Sequence, residues 1–499
     1  MRLRRIWGRT GYRWVAAAMV VVLASAGISL ALAAPGRKLP TFTVGRATVG
    51  AAIPNGFVGL SMEPRGLETY AGSNPAAVNA AFVALVRNLA PGQTPVLRIG
   101  GDGTDWTWYP VAHMRRPPGV KFDLNRRWLK VASAVAKALG ARLILGVNLE
   151  ANSRRVAAAE GRAFVSAIGR PAIRAFEVGN EPELYGSFGW YRNAAGLAVT
   201  GRPRGYDFAA YKHDFSSFAA ALPRIALAGP SSGSVVWNAQ LGSFLASEPR
   251  VRLVTLHAYP LKHCSSSSHP STNQLLAPAA SAGLAASLAH YVAVARRHRL
   301  AVRIDELNGI SCGGVRGVSD SFASALWVLD ALRHLAQTGV AGVNIHTVPN
   351  TINEVIGAGQ VNGTGQATVH PEYYGMMMFA QAAPAGSRLV RIGGPALPGV
   401  TVWATRAADG HVRVVLTNRR APARDVKVRI PGGHGPGLLE RLQAPNLRSA
   451  SGVTLGGQSF GGQTASGQLA GPRTVSVVKP SSGGYVVTLP GGSAALLVL

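Results

Sequence analysis

The stretch that decides the fold reads Ala172-Ile173-Arg174-Ala175-Phe176-Glu177-Val178-Gly179-Asn180-Glu181-Pro182. Its apolar run has the length of a buried strand, and it ends on a carboxylate and a proline, which cannot continue a hydrogen-bonded ladder. A second segment has the same design: Ala301-Val302-Arg303-Ile304-Asp305-Glu306-Leu307-Asn308-Gly309. Because an α/β barrel places its strand ends around one cleft, Glu181 and Glu306 are predicted to face each other there.

Apolar runs of strand length alternate with longer stretches of helical period along most of the chain. The eight predicted strands are Gly56–Ser61, Pro95–Gly100, Arg142–Asn148, Ala172–Gly179, Arg224–Gly229, Val251–His257, Ala301–Glu306 and Val340–His346. The predicted helices include Pro75–Leu89, Leu124–Leu139, Phe208–Leu222, Ala280–His298 and Ser319–Gln337. This pattern predicts an α/β fold, a (β/α)8 TIM barrel. An open doubly wound sheet is the alternative, but no glycine-rich phosphate-binding motif follows the first strand.

From about Gly386 the pattern changes to short strands separated by Gly/Pro turns, which predicts an appended antiparallel β-sandwich. The predicted strands are Leu389–Ile392, Val400–Thr405, Val412–Thr417, Val426–Ile430, Thr474–Val478 and Gly484–Leu489. The strand-like segment Thr41–Ala51 could pair into that sandwich. The stretch Gly452–Gly471 is rich in Gly, Gln and Ser and is predicted to be an exposed loop.

Four parts of the chain are therefore expected. Residues 1–34 are read as a signal peptide or N-terminal anchor, and residues 35–54 as a linker with a strand that joins the sandwich. Residues 55–385 would form the catalytic barrel, and residues 386–499 the β-sandwich domain.

The N-terminal segment has the anatomy of an export signal. Arginines from Arg2 to Arg13 precede the apolar run Val15–Ala33, and Ala31-Leu32-Ala33 is typical of a cleavage site. An uncleaved membrane anchor is the alternative, because the apolar run is long for a signal peptide. Either reading predicts a secreted or cell-envelope protein.

The two cysteines, Cys264 and Cys312, each follow a predicted strand, on loops expected at the same face of the barrel. In an exported protein, a pair of cysteines favours a disulfide over two free thiols.

The formal net charge is +29, from 51 Lys and Arg against 22 Asp and Glu. The arginines are scattered along the chain rather than clustered on one element, which disfavours nucleic-acid binding. The charge fits attraction of an anionic polysaccharide, and it fits equally an arginine-biased genome without functional meaning.

The two strand-end glutamates suit a retaining glycosidase, which needs a proton donor and a nucleophilic carboxylate roughly 5 Å apart. Glu181 is assigned as acid/base, with Glu177 and Glu183 as rivals. Glu306 is assigned as nucleophile, and its neighbour Asp305 should point the opposite way because strand side chains alternate. Neither a metal nor another cofactor is expected.

Other polar residues lie at predicted strand ends, where they could bind a sugar or hold the nucleophile. Tyr259 is a candidate donor to Glu306, with a rim aromatic as the alternative reading. Asp102, Glu63 and Asn180 could bind sugar hydroxyls, and Arg98 could hold a catalytic carboxylate. Trp106 or Trp108 could stack on a sugar ring. The surrounding Gly-Gly-Asp-Gly run is a weak signal, because such runs are common in turns.

Three motifs resemble glycoside hydrolase family 79, the β-glucuronidase and heparanase family. They are Gly179-Asn180-Glu181-Pro182, Asp305-Glu306-Leu307-Asn308 and Cys312-Gly313-Gly314. The resemblance extends over nearly all of the chain after the leader. It implies Glu181 as acid/base and Glu306 as nucleophile, with Asn180, Tyr259, Asp102 and Glu63 around the sugar and Gly313 at its carboxylate. It also leads us to expect a tyrosine near the eighth strand, but Val343–Glu354 contains none.

The sequence thus predicts an exported retaining β-glycosidase that acts on β-glucuronosyl linkages of a uronic-acid-containing carbohydrate. No nucleic-acid partner is expected, and no stable membrane association unless the leader stays uncleaved. The alternatives are a neutral-sugar β-glycosidase of the same clan and a non-catalytic protein that binds acidic glycans.

Overall fold

Eight of the apolar runs form a closed barrel of parallel strands in a computed structural model that describes residues 38–361 and 364–499. The predicted leader, residues 1–34, lies outside the described residues. The strands are β1 (Thr41–Ala52), β2 (Val58–Met62), β3 (Val96–Ile99), β4 (Thr107–Trp108), β5 (Phe122–Asp123), β6 (Arg142–Val147), β7 (Ile173–Val178), β8 (Gly189–Arg192), β9 (Ala198–Thr200), β10 (Leu227–Ser232), β11 (Val251–Ala258), β12 (Ala301–Leu307), β13 (Gly342–Thr347), β14 (Ile356–Val361), β15 (Thr364–Val369), β16 (Arg388–Gly393), β17 (Val400–Arg406), β18 (Val412–Asn418), β19 (Arg424–Arg429), β20 (Gly437–Gln443), β21 (Thr454–Leu455), β22 (Ser476–Val478), β23 (Tyr485–Leu489) and β24 (Ser493–Val498).

The helices cover the barrel and connect its strands. They are α1 (Leu67–Ala71), α2 (Ala80–Leu89), α3 (Arg126–Leu139), α4 (Arg154–Ile168), α5 (Phe208–Ala221), α6 (Val235–Asn238), α7 (Leu241–Ser247), α8 (Thr272–Leu275), α9 (Leu284–Arg297), α10 (Phe322–Thr338) and α11 (Pro371–Ala382). Helix α3 shows why they form: its side chains at helical spacing, from Trp128 to Leu139, are buried, and Asn125 caps its first turn.

The order around the barrel is β2, β3, β6, β7, β10, β11, β12 and β13, and β13 pairs with β2 to close it. These are the eight predicted strands, so the prediction of a (β/α)8 barrel is confirmed. Because all eight strands are parallel, their carboxyl ends open at one face, and the loops that follow them build a common cleft.

The C-terminal domain is a ten-stranded, mostly antiparallel sheet that folds over its own aliphatic core. Strand β23 lies at one end of the strand order, yet it contacts β18 and β24, so the two halves of the sheet face each other. Valines and leucines of both halves fill the space between them, among them Val414, Val428 and Leu497. The predicted sandwich architecture is confirmed. Strand β1 pairs antiparallel with β16 and parallel with β19.

The stretch Gly452–Gly471 is only in part the exposed loop that its composition predicts, because about half of its residues are exposed and others are anchored. Leu455 and Phe460 are buried, and the amide of Phe460 donates a hydrogen bond to the hydroxyl of Tyr374 on α11. Thr464 exchanges backbone hydrogen bonds with Ala367 of β15. The stretch therefore packs onto the barrel through a few apolar and backbone anchors that its average composition conceals.

Within the part of the chain that the structure describes, no helix is both long enough and apolar enough to cross a lipid bilayer.

Candidate active site

The side chains at the carboxyl ends of five barrel strands, together with the loops that follow them, converge on one buried polar cluster. Strand β3 supplies Arg98, the β7 turn supplies Glu181, β11 supplies His257, β12 supplies Glu306 and β13 supplies His346. The cluster lies where catalytic residues are found in enzymes with this barrel fold.

Glu181 and Glu306 face each other across the imidazole of His257. The Nδ1 atom of His257 lies 3.0 Å from Oε1 of Glu181 and 3.9 Å from Oε2 of Glu306. A carboxylate oxygen of Glu181 lies within 4.8 Å of one of Glu306. Retaining glycosidases have their two carboxyl groups about 5 Å apart, whereas inverting enzymes need roughly 6.5–9.5 Å to admit a water. The separation therefore suits a covalent, retaining mechanism.

Glu306 is held by donors and positive charges. Nη1 of Arg98 lies 2.6 Å from Oε2, and the hydroxyl of Tyr259 donates to Oε1 over 2.7 Å. Burial alone would raise the pKa of Glu306. The positive charges of His346, His257 and Arg98 and the hydrogen bond from Tyr259 outweigh burial, and they lower this pKa well below its ordinary value. Glu306 is therefore an ionised carboxylate, as a nucleophile must be.

Glu181 is presented by a strained turn. Its backbone adopts the left-handed conformation (φ 43°, ψ 54°), which is uncommon outside glycine, and Pro182 begins a 3-10 turn directly after it. The amide of Glu181 donates to the carbonyl of Ser231 over 2.9 Å. Its side chain is 22 % exposed, against 7 % for Glu306. Glu181 is thus open to a leaving group and to water, which an acid/base must reach.

The predicted orientation of Asp305 is wrong. In the pairing of β11 with β12, Leu256 faces Ile304 and His257 faces Glu306, so Asp305 is skipped by a bulge. The bulge turns both acidic side chains toward Arg98, with Oδ2 of Asp305 lying 3.4 Å from its Nε. A bulge breaks the alternation of strand side chains, and a sequence pattern does not show where one occurs.

The rivals of Glu181 have other partners. Glu177 is fully buried, and its Oε2 lies 2.6 Å from Nε of Arg98. Glu183 accepts hydrogen bonds from the amides of Gly233 and Ser234 at 2.8 and 3.0 Å, which anchors the loop after β10. Burial and then the charge of Glu181 raise the pKa of Glu183 to about 7. Glu181 is therefore the residue of the three that faces Glu306.

Asn180 and Asp102 are brought together beside Glu181. Nδ2 of Asn180 donates to Asp102 over 3.0 Å, and its Oδ1 accepts from Nη2 of Arg98 over 2.7 Å. Asp102 is exposed to solvent, yet protein atoms crowd its carboxyl group. This desolvation, followed by the charges of Glu63, Glu306 and Glu181, raises the pKa of Asp102 to about 7.

Glu63 lies against the loop Gly101–Gly103, which carries Asp102. Its Oε2 accepts from the amide of Gly103 over 2.6 Å, and its Oε1 is 3.5 Å from Nε2 of His346. A Cβ atom at Gly101 or Gly103 would collide with the carboxylate of Glu63. The weak Gly-Gly-Asp-Gly signal therefore has a structural reason, since glycine lets the loop close over Glu63.

Tyr259 reaches the nucleophile rather than the rim. Its hydroxyl donates to Glu306, and it lies 3.0 Å from Nδ1 of His346. Because the hydroxyl proton goes to Glu306, Nδ1 of His346 must donate to the tyrosine oxygen. Burial lowers the pKa of His346, but the charge of Glu306 and the contact with Glu63 outweigh it and raise this pKa to about 8.

The candidate aromatic platforms have other contacts. Trp108 is buried and donates to Asp123 over 2.7 Å. The ring of Trp106 is covered by the Lys121 ammonium, 3.7 Å from the ring centre. The expected tyrosine near the eighth strand is not supplied by Tyr373 or Tyr374, the next tyrosines along the chain, because they contact Leu85 and Phe460 instead of Glu306.

The predicted disulfide between Cys264 and Cys312 is confirmed, with Cα atoms 5.3 Å apart. It ties the loop after β11 to the loop after β12. Gly313 follows it, exposed and in a left-handed conformation (φ 86°), and its carbonyl accepts from the amide of Ile352 over 3.1 Å. The structure places Gly313 on this rim loop, outside the hydrogen-bonded cluster around Glu306.

Sequence reasoning missed His346 and Asp105. His346 ends the predicted eighth strand and lies one residue before the end of β13, so a search for polar strand ends would have found it. Asp105 is fully buried and accepts from the amides of Leu149, Glu150 and Asn180 and from Tyr185. It thereby fixes the turn that carries Glu181. Its role depends on contacts far apart in sequence, which no local motif encodes.

In the described part of the chain, two residue sets offer metal-ligand atoms within 4.8 Å of one another, Glu177-His257-Asp305 and Glu181-His257-Glu306. Arg98 contacts a carboxylate of both sets, and its fixed positive charge opposes a second cation there. The donor set therefore suits ion pairs better than a metal ion.

Comparison with known proteins supports the sequence-based resemblance. Residues 402–496 match the model of the glycosyl hydrolase family 79 C-terminal beta domain. The predicted resemblance to this family is therefore confirmed, on the part of the chain that the family model covers. No protein with a curated description matches the chain significantly.

Several solved structures share the fold. A 4-O-α-L-rhamnosyl-β-D-glucuronidase from Fusarium oxysporum 12S superposes with a TM-score of 0.70 at 21% identity, over 92% of this chain and 100% of the other. A family 51 arabinofuranosidase from Xanthomonas axonopodis pv. citri gives 0.66 at 16% identity, over 93% and 100%. An α-L-arabinofuranosidase from Thermotoga maritima gives 0.65 at 14% identity, over 92% and 99%. At these identities the likeness establishes the fold over the 92–93% of the chain that is covered, and it does not identify the substrate.

Proposed function

We propose that this protein, with its family 79 type C-terminal domain, is a retaining β-glycoside hydrolase that cleaves β-glucuronosyl linkages. The observation that carries the proposal is the separation of Glu181 and Glu306, whose nearest carboxylate oxygens lie within 4.8 Å. The ionised state of Glu306 and the openness of Glu181 assign the two roles.

The reaction takes two displacements. In the first, Glu306 attacks the anomeric carbon while Glu181 gives its proton to the leaving oxygen, and a covalent glycosyl-enzyme forms. In the second, Glu181 takes a proton from water, the water oxygen attacks the anomeric carbon, and the bond to Glu306 breaks. Glu181 regains its proton, and the anomeric configuration is retained.

The surrounding residues support both steps. Arg98 and Tyr259 hold the two oxygens of Glu306 in place, so that the carboxylate is oriented before substrate arrives. His257 contacts Glu181 and fixes its side chain. Asn180, Asp102 and Glu63 line the space beside the pair and offer acceptors and donors to sugar hydroxyls.

The preference for a uronic acid is supported by the family 79 domain and by the β-glucuronidase among the similar structures. A contact of Gly313 with the sugar carboxylate stays a prediction from the family resemblance.

A neutral-sugar β-glycosidase is the second candidate, and the charge around the pair favours it. Besides burial, the negative charges of Glu63 and Glu306 raise the pKa of Asp102, and the same charges would repel a sugar carboxylate. The segment Val343–Glu354 also lacks the tyrosine that the family resemblance leads us to expect near the eighth strand.

Export is proposed on the N-terminal pattern, and the disulfide fits an oxidising compartment. Expression with the native N-terminus in a secreting host should deliver the protein outside the cytoplasm, with a new N-terminus near Ala33. Retention of the whole chain in the membrane fraction would indicate an anchor instead.

The deciding experiment compares turnover of aryl β-glucuronide, aryl β-glucoside and aryl α-L-arabinofuranoside. Wild-type protein should prefer the glucuronide, and Glu306→Ala and Glu181→Ala should each lower kcat at least a thousandfold. Glu68→Gln is the control, since Glu68 pairs with Arg127 at the outer surface. Preference for the glucoside would select the neutral-sugar candidate, and unchanged turnover in Glu306→Ala would reject the mechanism.

A further inference from the structure

Two carboxyl groups lie beneath the catalytic pair, and the mechanism above does not use them. Glu177 and Asp305 come from strands β7 and β12, and both side chains are completely buried. A carboxylate oxygen of one lies within 4.8 Å of one of the other. Both contact the same atom, Nε of Arg98, Glu177 at 2.6 Å and Asp305 at 3.4 Å.

The hydrogen bonds around this pair are unequal. Glu177 accepts from Nε of Arg98, and the hydroxyl of Ser231 also acts on it, but among residues 38–361 and 364–499 no N–H or hydroxyl donates to either oxygen of Asp305. An ionised carboxylate can only accept hydrogen bonds, so an ionised Asp305 would be a buried anion without a hydrogen bond. Such an arrangement is strongly unfavourable.

We propose that Asp305 is a neutral carboxylic acid that donates its proton in a hydrogen bond to Glu177, and that this pair positions the nucleophile through Arg98. The single proton turns one oxygen of Asp305 into a donor and gives Glu177 a further hydrogen bond. The oxygen of Asp305 that still has no donor then belongs to a neutral group. The proton also reduces the charge on this face of Arg98 from two anions to one.

The electrostatics of the cluster agree with this assignment. Burial, and then the charge of Glu177, raises the pKa of Asp305 well above its ordinary value. Burial opposes ionisation of Glu177 too, but the charge of Arg98 and the hydrogen bond from Asp305 outweigh it and lower this pKa to about 2. The other charged or titratable groups that act on Asp305 are Glu306, His257 and Arg303.

The consequence lies in how Arg98 shares its charge. Its Nε serves Glu177, its Nη1 serves Glu306 and its Nη2 serves Asn180. An ionised Asp305 would draw the guanidinium toward the barrel interior, away from the nucleophile. With Asp305 neutral, Arg98 interacts with two anions, Glu177 in the barrel interior and the nucleophile Glu306. Asp305 is thus a positioning residue that acts through Arg98.

The first test detects the proton and needs no substrate. A protonated carboxyl group has a carbonyl stretch in the infrared that is distinct from carboxylate bands and shifts in heavy water. The difference spectrum of wild-type protein and Asp305→Asn at neutral pH should contain this band, because the amide replaces the acid without changing the charge. A difference spectrum with only carboxylate bands lost would show that Asp305 is ionised and would overturn the proposal.

The second test measures positioning, and it rests on the proposed glycosidase function. Asp305→Asn should keep kcat within about threefold of wild type, because the asparagine amide also donates to Glu177. Asp305→Ala removes the donor and should lower kcat by about tenfold to a hundredfold while KM changes little. If kcat falls as far in Asp305→Asn as in Asp305→Ala, the positioning role of Asp305 is contradicted. This comparison also holds if Asp305→Ala folds poorly, because the prediction for Asp305→Asn is a kcat close to that of wild type. If no glycoside is turned over at all, the infrared result still decides the protonation of Asp305.

Discussion

Two fully buried arginines lie at opposite ends of the same barrel, and their surroundings differ completely. Arg98, near the carboxyl ends of the strands, contacts three carboxyl groups, those of Glu177, Asp305 and Glu306. Arg303, at the amino ends, donates to Asn344 and to the carbonyls of Gly56, Phe57 and Val343. One guanidinium meets anions, and the other meets neutral dipoles.

This difference appears in the pKa values. Burial lowers the pKa of both, but the negative charge of its carboxylate partners, Glu177 first, outweighs burial at Arg98 and raises its pKa well above the ordinary value. At Arg303 burial prevails, and the pKa falls to about 9. A buried charge therefore does not mark a functional site by itself. The partners of the buried charge distinguish the two roles. At the mouth of the barrel, Arg98 orients acidic side chains, whereas at the floor Arg303 supplies donors to backbone carbonyls.

Of the changes that test this comparison, Arg98→Lys should have the largest effect. The ammonium keeps the charge but cannot serve Glu177, Glu306 and Asn180 together, so the nucleophile loses its orientation. We expect kcat on the preferred aryl glycoside to fall about a hundredfold to a thousandfold, with an unchanged circular dichroism spectrum. A kcat within threefold of wild type would show that Arg98 serves stability alone.

Arg303→Met is the matched change at the floor of the barrel. It removes a buried charge together with the donor for several carbonyls, so the free energy of unfolding should change by about 1–3 kcal/mol. The value of kcat should stay within about threefold, because Arg303 touches neither glutamate. Denaturant unfolding and steady-state kinetics measure the two effects. A loss of kcat like that of Arg98→Lys would erase the distinction between the two arginines.

The pH dependence of kcat/KM should show a smaller effect than Arg98→Lys, and it depends on His346 at the mouth of the barrel. The pKa of His346 is raised from 6.5 to about 8, so the protonated imidazole favours the folded state and the ionised Glu306. This contribution is complete below about pH 6.5 and is lost as the pH rises through about 8. We expect kcat/KM to fall roughly tenfold between pH 7 and pH 9 in wild-type protein.

Two histidine variants test whether His346 causes the fall of kcat/KM at high pH. His346→Gln should lower kcat/KM at pH 7 and flatten the decline at high pH. His334→Gln should leave the profile unchanged, since His334 lies on helix α10 with a pKa lowered to about 4 by burial and by Arg333. An identical alkaline limb in wild type and His346→Gln would assign the limb to another group.

The smallest effect is expected at a third arginine, Arg413 of the C-terminal domain. It pairs with Asp409 over 2.7 Å, but half of the aspartate side chain is exposed to solvent. Asp409→Ala should therefore lower the free energy of unfolding by no more than about 1 kcal/mol and should leave kcat unchanged. If chemical denaturation shows a larger loss of unfolding free energy, solvent exposure does not limit how much such an ion pair stabilises the fold.

The sequence predicted the parts of this fold that follow from local pattern. All eight barrel strands follow from apolar runs between helical stretches, and six strands of the C-terminal domain follow from alternation. Strand β20 and strand β24 are not among the predicted strands, although β24 lies between β18 and β20 in the sheet. Helix α4 is likewise not among the predicted helices.

The residues of the candidate site were likewise predicted only where local pattern determines them. Glu181, Glu306, Tyr259, Asn180, Asp102 and Glu63 are strand-end residues, and the structure gathers them at the mouth of the barrel. The orientation of Asp305 was predicted wrongly because it depends on a bulge in the pairing of β11 with β12. The contacts of Asp105 and the proton that we assign to Asp305 depend on residues far apart in the chain. Local pattern predicts which residues reach the mouth, but not how they share charge there.

Trapping of a covalent intermediate tests the central claim most directly. A 2-deoxy-2-fluoro glycoside with an activated leaving group, made with the sugar that the aryl panel selects, slows release of the glycosyl-enzyme and lets it accumulate. We predict stoichiometric inactivation and, by mass spectrometry of peptides, a single adduct on Glu306. An adduct on another carboxylate, or turnover to the inverted anomer without any adduct, would contradict the account.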